Sequence, residues 1–192
     1  MTTRMTLHQV SQLLTASVSL SLQEIEKYLN HEGFTLGYRP LTKGKMTLLS
    51  VLNRRIPNQA AFKYGEIDDI CVAVKIKKGS TIFSTKLTPR SATGPEFKRV
   101  FIGSHSQFGK FIEATLKIWP LPEEVKKLNL VWKKATDQEN FLKLFWSSGI
   151  RPSLFQVSKN KLQLEIEGDA EMIQIEVGCI EQYVDQTKGS IV

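Results

Sequence analysis

The pattern of hydrophobic and polar positions at the start of the chain predicts a strand followed by a helix. Residues 10–20 are rich in small and β-branched side chains, which are typical of a strand. Ser21 and Glu24 have capping-box spacing, in which each side chain satisfies a backbone N–H of the first helical turn. They predict a helix over residues 22–29, and Gly33 suits its C-terminal end.

The middle of the chain predicts a second helix and then mainly strands. Residues 44–60 contain a weaker helical run, which Pro57 should end. Residues 70–77 and 81–85 have strand patterns on either side of a Lys-Gly turn, so we expect a hairpin there. Residues 111–119 alternate like a further strand.

The last part of the chain has its own order of elements. Residues 128–132 predict a strand, and Asp137 can cap the helix that follows it. Residues 153–157 and 162–167 predict two more strands, and residues 172–183 fit either a short helix or a strand. The resulting β-α-β-β order indicates part of a ferredoxin-like α+β unit.

Apolar runs identify candidate core residues. These are Ile102, Phe108, Ile112, Leu116, Ile118, Trp119, Trp132 and Trp146.

The composition is that of a folded, moderately basic protein. The 192 residues are 41% hydrophobic and 23% charged, so the chain can bury a core and is too apolar to be disordered. Its net charge of +7 would suit a phosphate-rich partner such as a nucleic acid, a nucleotide or a membrane surface. The basic residues are scattered, however, and a nucleic-acid-binding function rests on charge alone. We expect no specific nucleic-acid partner.

Several kinds of site are not indicated. No apolar run has the length of a signal peptide or a membrane span, so a cytoplasmic location is expected. Cys71 and Cys179 are not spaced as a metal site, and there is no Walker loop or dinucleotide glycine fingerprint. Arg54 and Arg55 could bind phosphate, although a solvated helix end explains them equally well.

Residues 93–122 carry a set of motifs in a characteristic order. They are Thr93-Gly94-Pro95-Glu96, Gly103-Ser104, Phe108-Gly109, Ile112-Glu113-Ala114-Thr115-Leu116 and Pro120-Leu121-Pro122. This stretch resembles the FAD-linked oxidases, the group with a vanillyl-alcohol oxidase or p-cresol methylhydroxylase-type FAD-binding domain. Glycolate oxidase, D-lactate dehydrogenase and alkyl-dihydroxyacetonephosphate synthase belong to that group.

Three further segments extend the resemblance over nearly the whole chain. Lys63-Tyr64-Gly65 with Asp69, residues 15–37 and residues 141–154 are each similar to the corresponding family segment. The resemblance implies an α+β fold, with the second subdomain of the FAD-binding domain (a mostly antiparallel sheet with flanking helices) over residues 1–122. It implies a truncated, partial ferredoxin-like cap segment over residues 123–192.

The resemblance also implies FAD as the cofactor and a set of residues that face it. They are Gly65, Asp69, Gly94, Gly103, Ser104, His105, Gly109 and Ile112. No residue here matches the family's catalytic residues, and no metal site is implied. His105 replaces a family glutamate; it is either a flavin contact or general base, or a polar loop residue, which is the simpler interpretation.

The chain departs from the family pattern where backbone approaches the flavin. The family's phosphate-cradling glycine loop has no counterpart here, since residues 1–5 match a stretch that already follows it. Leu49 and Ser50 stand at two family glycine positions, and Ser106 stands at a third. A leucine side chain is a steric obstacle where backbone must touch a cofactor.

These departures predict a degenerate relative of FAD-linked oxidoreductases, with weak or lost flavin binding and no catalysis by the isolated chain. The alternative is one half of a two-chain FAD-dependent oxidase or dehydrogenase of a 2-hydroxy acid or similar substrate. A partner subunit would then supply the phosphate loop, or the chain would form a homodimer.

Overall fold

The computed structural model describes residues 5–42, 44–86 and 96–192. The chain folds into two units, each with its own hydrophobic core. The first contains Met1–Asn58 and Tyr64–Leu121, and the second contains Gln59–Lys63 and Pro122–Val192.

Strands and short helices alternate up to residue 121. The strands are β1 (Met5–His8), β2 (Leu13–Ser17), β3 (Phe34–Thr35), β4 (Cys71–Lys78), β5 (Thr81–Ser84), β6 (Lys110–Lys117) and β7 (Trp119–Pro120). The helices are α1 (Leu22–His31), α2 (Leu48–Arg54), α3 (Ala61–Tyr64), α4 (Ile67–Ile70) and α5 (Phe97–Phe101).

The first unit is built on a five-stranded sheet. The strand order is β1-β2-β6-β4-β5, and every neighbouring pair is antiparallel. One sheet face packs its apolar side chains against α1 and α2, and strands β3 and β7 form a separate two-stranded pair. This arrangement confirms the predicted α+β class with a mostly antiparallel sheet and flanking helices.

Helix α1 begins where the sequence predicts. The Ser21 hydroxyl accepts from the Glu24 backbone N–H at 3.1 Å, and the Glu24 carboxylate accepts from the Ser21 N–H at 2.8 Å. Three apolar side chains of the helix, Leu22, Ile25 and Leu29, are buried. The spacing of these residues places them on one face, which the sheet covers.

The second unit has the full element order of a ferredoxin-like fold. Its elements are β8 (Glu124–Val131), α6 (Ala135–Ser148), β9 (Leu154–Ser158), β10 (Lys161–Gly168), α7 (Ala170–Gln186) and β11 (Ser190–Ile191). The sheet order is β11-β8-β10-β9, antiparallel throughout. Thus the predicted β-α-β-β segment continues through a 17-residue helix and a short strand to β-α-β-β-α-β.

The strand predicted over residues 10–20 is shorter than expected. Only Leu13–Ser17 forms β2, and the unpredicted β1 pairs with it. Gln12 has a positive φ of 50°, and its N–H donates to the Gln9 carbonyl. A tight turn therefore occupies residues that β propensity alone assigned to a strand.

The predicted cap of α6 was also wrong. The helix begins after Lys134, and Asp137 lies in its first turn without capping it. The Gln138 side chain donates to the carbonyls of Ser158 and Lys161 at 3.1 and 3.0 Å. These tertiary bonds, which no local signal records, fix this end of the helix.

Two predicted core residues are exposed. Phe108 is 46% exposed and Trp146 is 49% exposed, whereas Trp132 is buried as expected. The Phe108 ring packs against Phe101, and the Trp146 ring lies against three aromatic rings, those of Phe62, Phe145 and Phe155. An apolar run in the sequence therefore predicts that a side chain packs against other apolar side chains, but it does not predict how far that side chain is buried.

Candidate functional site

The loop from Gly103 to Gly109 is anchored on the C-terminal end of α2. The Gly103 N–H donates to the Leu52 carbonyl at 2.7 Å, and the His105 N–H donates to the Asn53 carbonyl at 3.3 Å. Such carbonyls have no partner within their own helix. The loop thus satisfies the end of α2, and in doing so it uses two of its own backbone donors.

The middle of this loop has a left-handed backbone without glycine. His105 and Ser106 have φ values of 52° and 64°, a region that is uncommon for residues other than glycine, asparagine, aspartate and histidine. The Ser106 hydroxyl is 3.0 Å from the Asn53 amide oxygen, which holds it in place. The serine that replaces a family glycine therefore keeps a glycine-like backbone.

Gly109 is required by close packing. Its φ is 144°, and an added Cβ would lie 2.6 Å from Cγ2 of Ile76 and 3.0 Å from the carbonyl oxygen of Lys77.

Ile112, predicted to face the cofactor, lies in β6, and its carbonyl accepts from the Val18 N–H at 3.1 Å. Ser104 lies in the loop itself, where its N–H donates to the Phe101 carbonyl.

Helix α2 begins with the stretch that contains Leu49 and Ser50, the residues at two family glycine positions. Thr47 caps the helix, its hydroxyl accepting from the Ser50 N–H at 3.2 Å. The Leu48 and Leu49 N–H groups donate to the carbonyls of Leu20 and Val18, both at 2.9 Å. Leu48 is fully buried and Leu49 packs partly buried against the same core. Both N–H groups are therefore used in hydrogen bonds within the fold, and both side chains are used in packing the core.

Gly65 and Asp69, predicted from the second motif, lie together around α4. Gly65 has a φ of 88°, and a Cβ there would be 3.0 Å from Cβ of Asp69. The Gly65 carbonyl accepts from the Asn58 amide at 2.8 Å. The motif therefore forms a tight turn into α4, and this turn leaves no room for a side chain at Gly65.

A polar cavity of about 350 Å³ adjoins this turn. It is lined by Arg55, Pro57, Glu66, Asp68, Asp69 and Arg99. Asp68 is buried, and its Oδ2 accepts from Nε of Arg55 at 2.6 Å. Its other oxygen, Oδ1, is buried and has no hydrogen-bond partner among the described residues. Within the described ranges, the counter-charge bonded to this carboxylate is therefore the half-exposed Arg55 guanidinium.

Arg55 connects the two parts of the site. It is the left-handed residue that ends α2, and its Cβ would be 3.4 Å from a Cβ on Gly103. The sequence indicated Arg55 as a phosphate candidate but gave no reason to single out Asp68 or Arg99. The sequence signal that could have identified Asp68 is its position next to Asp69, a predicted site residue. Gly94 lies outside the described residues.

Two titratable residues near the site, Cys71 and Lys98, are buried. Burial raises the pKa of the Cys71 thiol to about 12, with Asp68 adding to the rise and Lys98 opposing it. Lys98 is itself buried and donates to the Cys71 carbonyl at 2.9 Å. His105 is exposed. In the described ranges, no three His, Cys, Asp or Glu residues could together hold a metal ion, and no helix is long and apolar enough to cross a membrane.

The second unit contains a larger open groove of about 730 Å³ on its sheet. Its lining includes Asn129, Gln156 and Gln163, and none of the residues predicted to face a cofactor. It is therefore separate from the candidate site.

Comparisons with known proteins agree with the motifs. No family model matches the chain. The chain is 25% identical over 173 residues to alkyldihydroxyacetonephosphate synthase of Caenorhabditis elegans, covering 87% of this chain and 29% of that protein. It is 27% identical over 142 residues to an uncharacterised FAD-linked oxidoreductase of Escherichia coli (strain K12), covering 73% of this chain and 29% of that protein.

A solved structure of alkyldihydroxyacetonephosphate synthase has the same fold, with a TM-score of 0.85 at 16% identity. The match covers 97% of this chain and 40% of that one. The chain thus spans less than a third of the length of the curated relatives described above. These likenesses and the motifs of residues 93–122 show that the chain is related to the FAD-linked oxidoreductases and has the fold of alkyldihydroxyacetonephosphate synthase.

Proposed function

We propose that this chain, by itself, is a non-catalytic member of the FAD-linked oxidase family that binds FAD weakly or not at all. The observation that supports this most directly is the start of α2, where Leu49 and Ser50 stand at two family glycine positions and the Leu49 side chain packs against the core. FAD would need to approach this backbone closely. The residues present do not fit that requirement, so we derive no catalytic step through the cofactor.

The use of backbone donors supports the same proposal. Phosphate and flavin sites rely on N–H groups that point at the ligand. Here the Leu48 and Leu49 N–H groups donate to carbonyls of the turn between β2 and α1, and those of Gly103 and His105 donate to the end of α2. Freeing any of them for a ligand would break a hydrogen bond of the fold, at a cost of about 1 kcal/mol each.

A visible absorption spectrum tests the proposal. The purified full chain is recorded as isolated, then again after incubation with excess FAD and desalting, beside an authentic flavoprotein of the family treated identically. We expect no retained flavin band from this chain, whereas the control keeps its flavin. Stoichiometric retention of flavin would refute the proposal.

A second function is favoured by an exposed aromatic cluster in the first unit. Its rings are Phe83, Phe97, Phe101 and Phe108, linked at centroid distances of 5.7 to 6.4 Å. Phe83, Phe97 and Phe108 are each about half exposed. Apolar patches of this kind mark protein interfaces. A partner subunit carrying the phosphate loop would dock here and complete a two-chain FAD-dependent oxidase or dehydrogenase of a 2-hydroxy acid.

Isolation of the tagged chain from its own cells distinguishes the two functions. The two-chain enzyme predicts a stoichiometric second chain and flavin, both lost in Phe97→Lys but kept in a control such as Leu121→Lys, which changes an equally exposed apolar residue of the same unit. Recovery of the chain alone and without flavin would dismiss the two-chain enzyme.

We also propose that the protein is cytoplasmic. Both cysteines, Cys71 and Cys179, are free, as is usual for proteins of a reducing compartment. Fractionation of the source cells tests this, and recovery in a secreted or membrane fraction would contradict it.

A further inference from the structure

Strand β9 is an unprotected edge of the second unit's sheet. The order β11-β8-β10-β9 leaves one side of β9 without a neighbouring strand in the described part of the chain. Its five residues, Leu154–Ser158, include no charge and no proline. Edge strands that avoid pairing with another chain usually carry charged residues or proline. This edge lacks them, and Gln156 and Val157 are exposed.

The hairpin geometry determines which backbone groups of β9 face outward. Residues 159–160 form a two-residue turn between Ser158 and Lys161, which are opposite each other. Residues that flank such a turn form a hydrogen-bonded pair, and such pairs alternate along an antiparallel ladder. Gln156 is therefore bonded to β10, and the N–H and C=O groups of Phe155 and Val157 face outward.

The side chains beside this edge are apolar on one face of the sheet. Phe155 packs against Trp146 and Phe62, with centroid distances of 4.9 and 5.6 Å. Trp146, Phe62 and Val157 are 49%, 50% and 51% exposed. Partners across a ladder lie on the same face, so Phe155 and Val157 share the face of Leu164 and Leu162, opposite each of them.

The other face carries a row of amides. Asn129, Gln163 and Gln156 are opposite one another on three adjacent strands, and all three are exposed. The row ends at the open edge. A strand added there with an amide at the same level would continue it.

We propose that β9 pairs with β9 of a second copy of this chain, antiparallel, with Gln156 on the two-fold axis. Phe155 then lies opposite Val157 of the second copy, and their outward N–H and C=O groups form four hydrogen bonds across the axis. The amide row becomes a continuous row of six, and the two aromatic groups meet on the other face. Because residues 154–158 are uncharged, no like charges meet along the pairing.

The second copy fits this edge because the strand is complementary to itself. A two-fold contact requires each residue to suit its symmetry mate. Here an aromatic faces a β-branched side chain and an amide faces an amide, both favourable cross-strand pairs. A strand pairing with a few side chains buries little area, so we expect a dissociation constant in the micromolar range, about 1–100 μM.

Sedimentation of the full chain over a concentration series tests the dimer. The wild-type chain should pass from monomer to dimer, and Val157→Lys should weaken association at least about tenfold because the lysine would be buried among aromatic rings. Val125→Lys is the matched control: Val125 is 44% exposed on β8 of the same sheet, away from the edge. A monomer at all soluble concentrations, or equal effects of the two variants, would overturn the proposal.

A disulfide on the two-fold axis tests the register directly. Gln156 forms a non-hydrogen-bonded pair with its mate, at a Cα distance of about 4.5 Å, which permits a disulfide. In a Cys179→Ser background, Gln156→Cys should give a covalent dimer on mild oxidation. Gln163→Cys should not, since three strand spacings of about 4.8 Å separate it from its mate. Equal cross-linking of both variants, or of neither, would refute this register.

Discussion

Among the described residues of the first unit, the buried carboxylate of Asp68 has an oxygen without a hydrogen-bond partner. Its Oδ2 is bonded to Arg55, and its Oδ1 has no partner among the described residues. A buried carboxylate that loses its only cation keeps its desolvation cost and gains nothing in return. The free-energy cost of burying the Asp68 carboxylate should therefore depend strongly on Arg55.

We predict that Arg55→Met lowers the free energy of unfolding by about 1–3 kcal/mol, a range reduced because the guanidinium is half exposed. Arg54→Met is the control, since Arg54 is exposed and adjacent, and should change stability by less than about 0.5 kcal/mol. Urea unfolding measures both. The double variant Arg55→Met with Asp68→Asn should recover part of the loss; no recovery would contradict the assignment.

The Gly109 position allows a second prediction at the residue scale. Gly109→Ala brings a Cβ within 2.6 Å of the Ile76 side chain, so we expect a loss of roughly 2–4 kcal/mol. Gly79→Ala also has a positive φ but meets nothing within 4 Å, and should cost about 1 kcal/mol. Thermal unfolding compares them. Equal losses would mean that backbone strain, and not packing, requires glycine at residue 109.

Cys71 provides a chemical test of burial. Its pKa is raised from 9.0 to about 12, chiefly by burial, so its thiolate fraction at neutral pH falls about a thousandfold. A thiol reagent should modify one cysteine in the native chain and two in denaturant. The Cys179→Ser variant should then show almost no native reaction, and rapid labelling of that variant would disprove the assignment.

At the scale of elements, the capping signal of α1 was a reliable local predictor, whereas the start of α6 depends on contacts between distant parts of the chain. The Ser21–Glu24 pair predicted the start of α1 because both partners lie within one turn. The start of α6 could not be predicted in this way, since Gln138 bonds to the hairpin around Ser158 and Lys161, far along the chain.

The candidate site shows the same division. Gly65, Gly103 and Gly109 were predicted from motifs, and each has a positive φ. The contact of Gly103 with the end of α2, and the cavity that includes Asp68, depend on tertiary packing and had no sequence signal.

Removal of the α1 cap gives a prediction at this scale. Ser21→Ala should lower stability by about 1 kcal/mol, because the bond that the Ser21 hydroxyl accepts from the Glu24 N–H is lost. Ser19 is the matched control: it is exposed, its hydroxyl bonds only to Ser17 among the described residues, and Ser19→Ala should have almost no effect. Chemical unfolding checks both, and equal effects would mean that Ser21 does not act as the cap.

At the scale of the whole molecule, the chain has the fold of an FAD-linked oxidase, and the backbone groups of its candidate loops form hydrogen bonds within the fold. The relatives that it matches extend well beyond the region it covers. Within that region, each unit has its own core, and the polar groups of the candidate loops are mostly satisfied internally. These features support the proposal that the isolated chain binds FAD weakly or not at all.

The most direct test of this account is a titration of FAD with the full chain, followed by the fluorescence anisotropy of the flavin. We predict no saturable rise up to about 100 μM protein, which corresponds to a binding free energy weaker than about 5.5 kcal/mol. A saturable rise with one flavin per chain at micromolar concentration would show that the chain alone holds FAD, and would contradict the account.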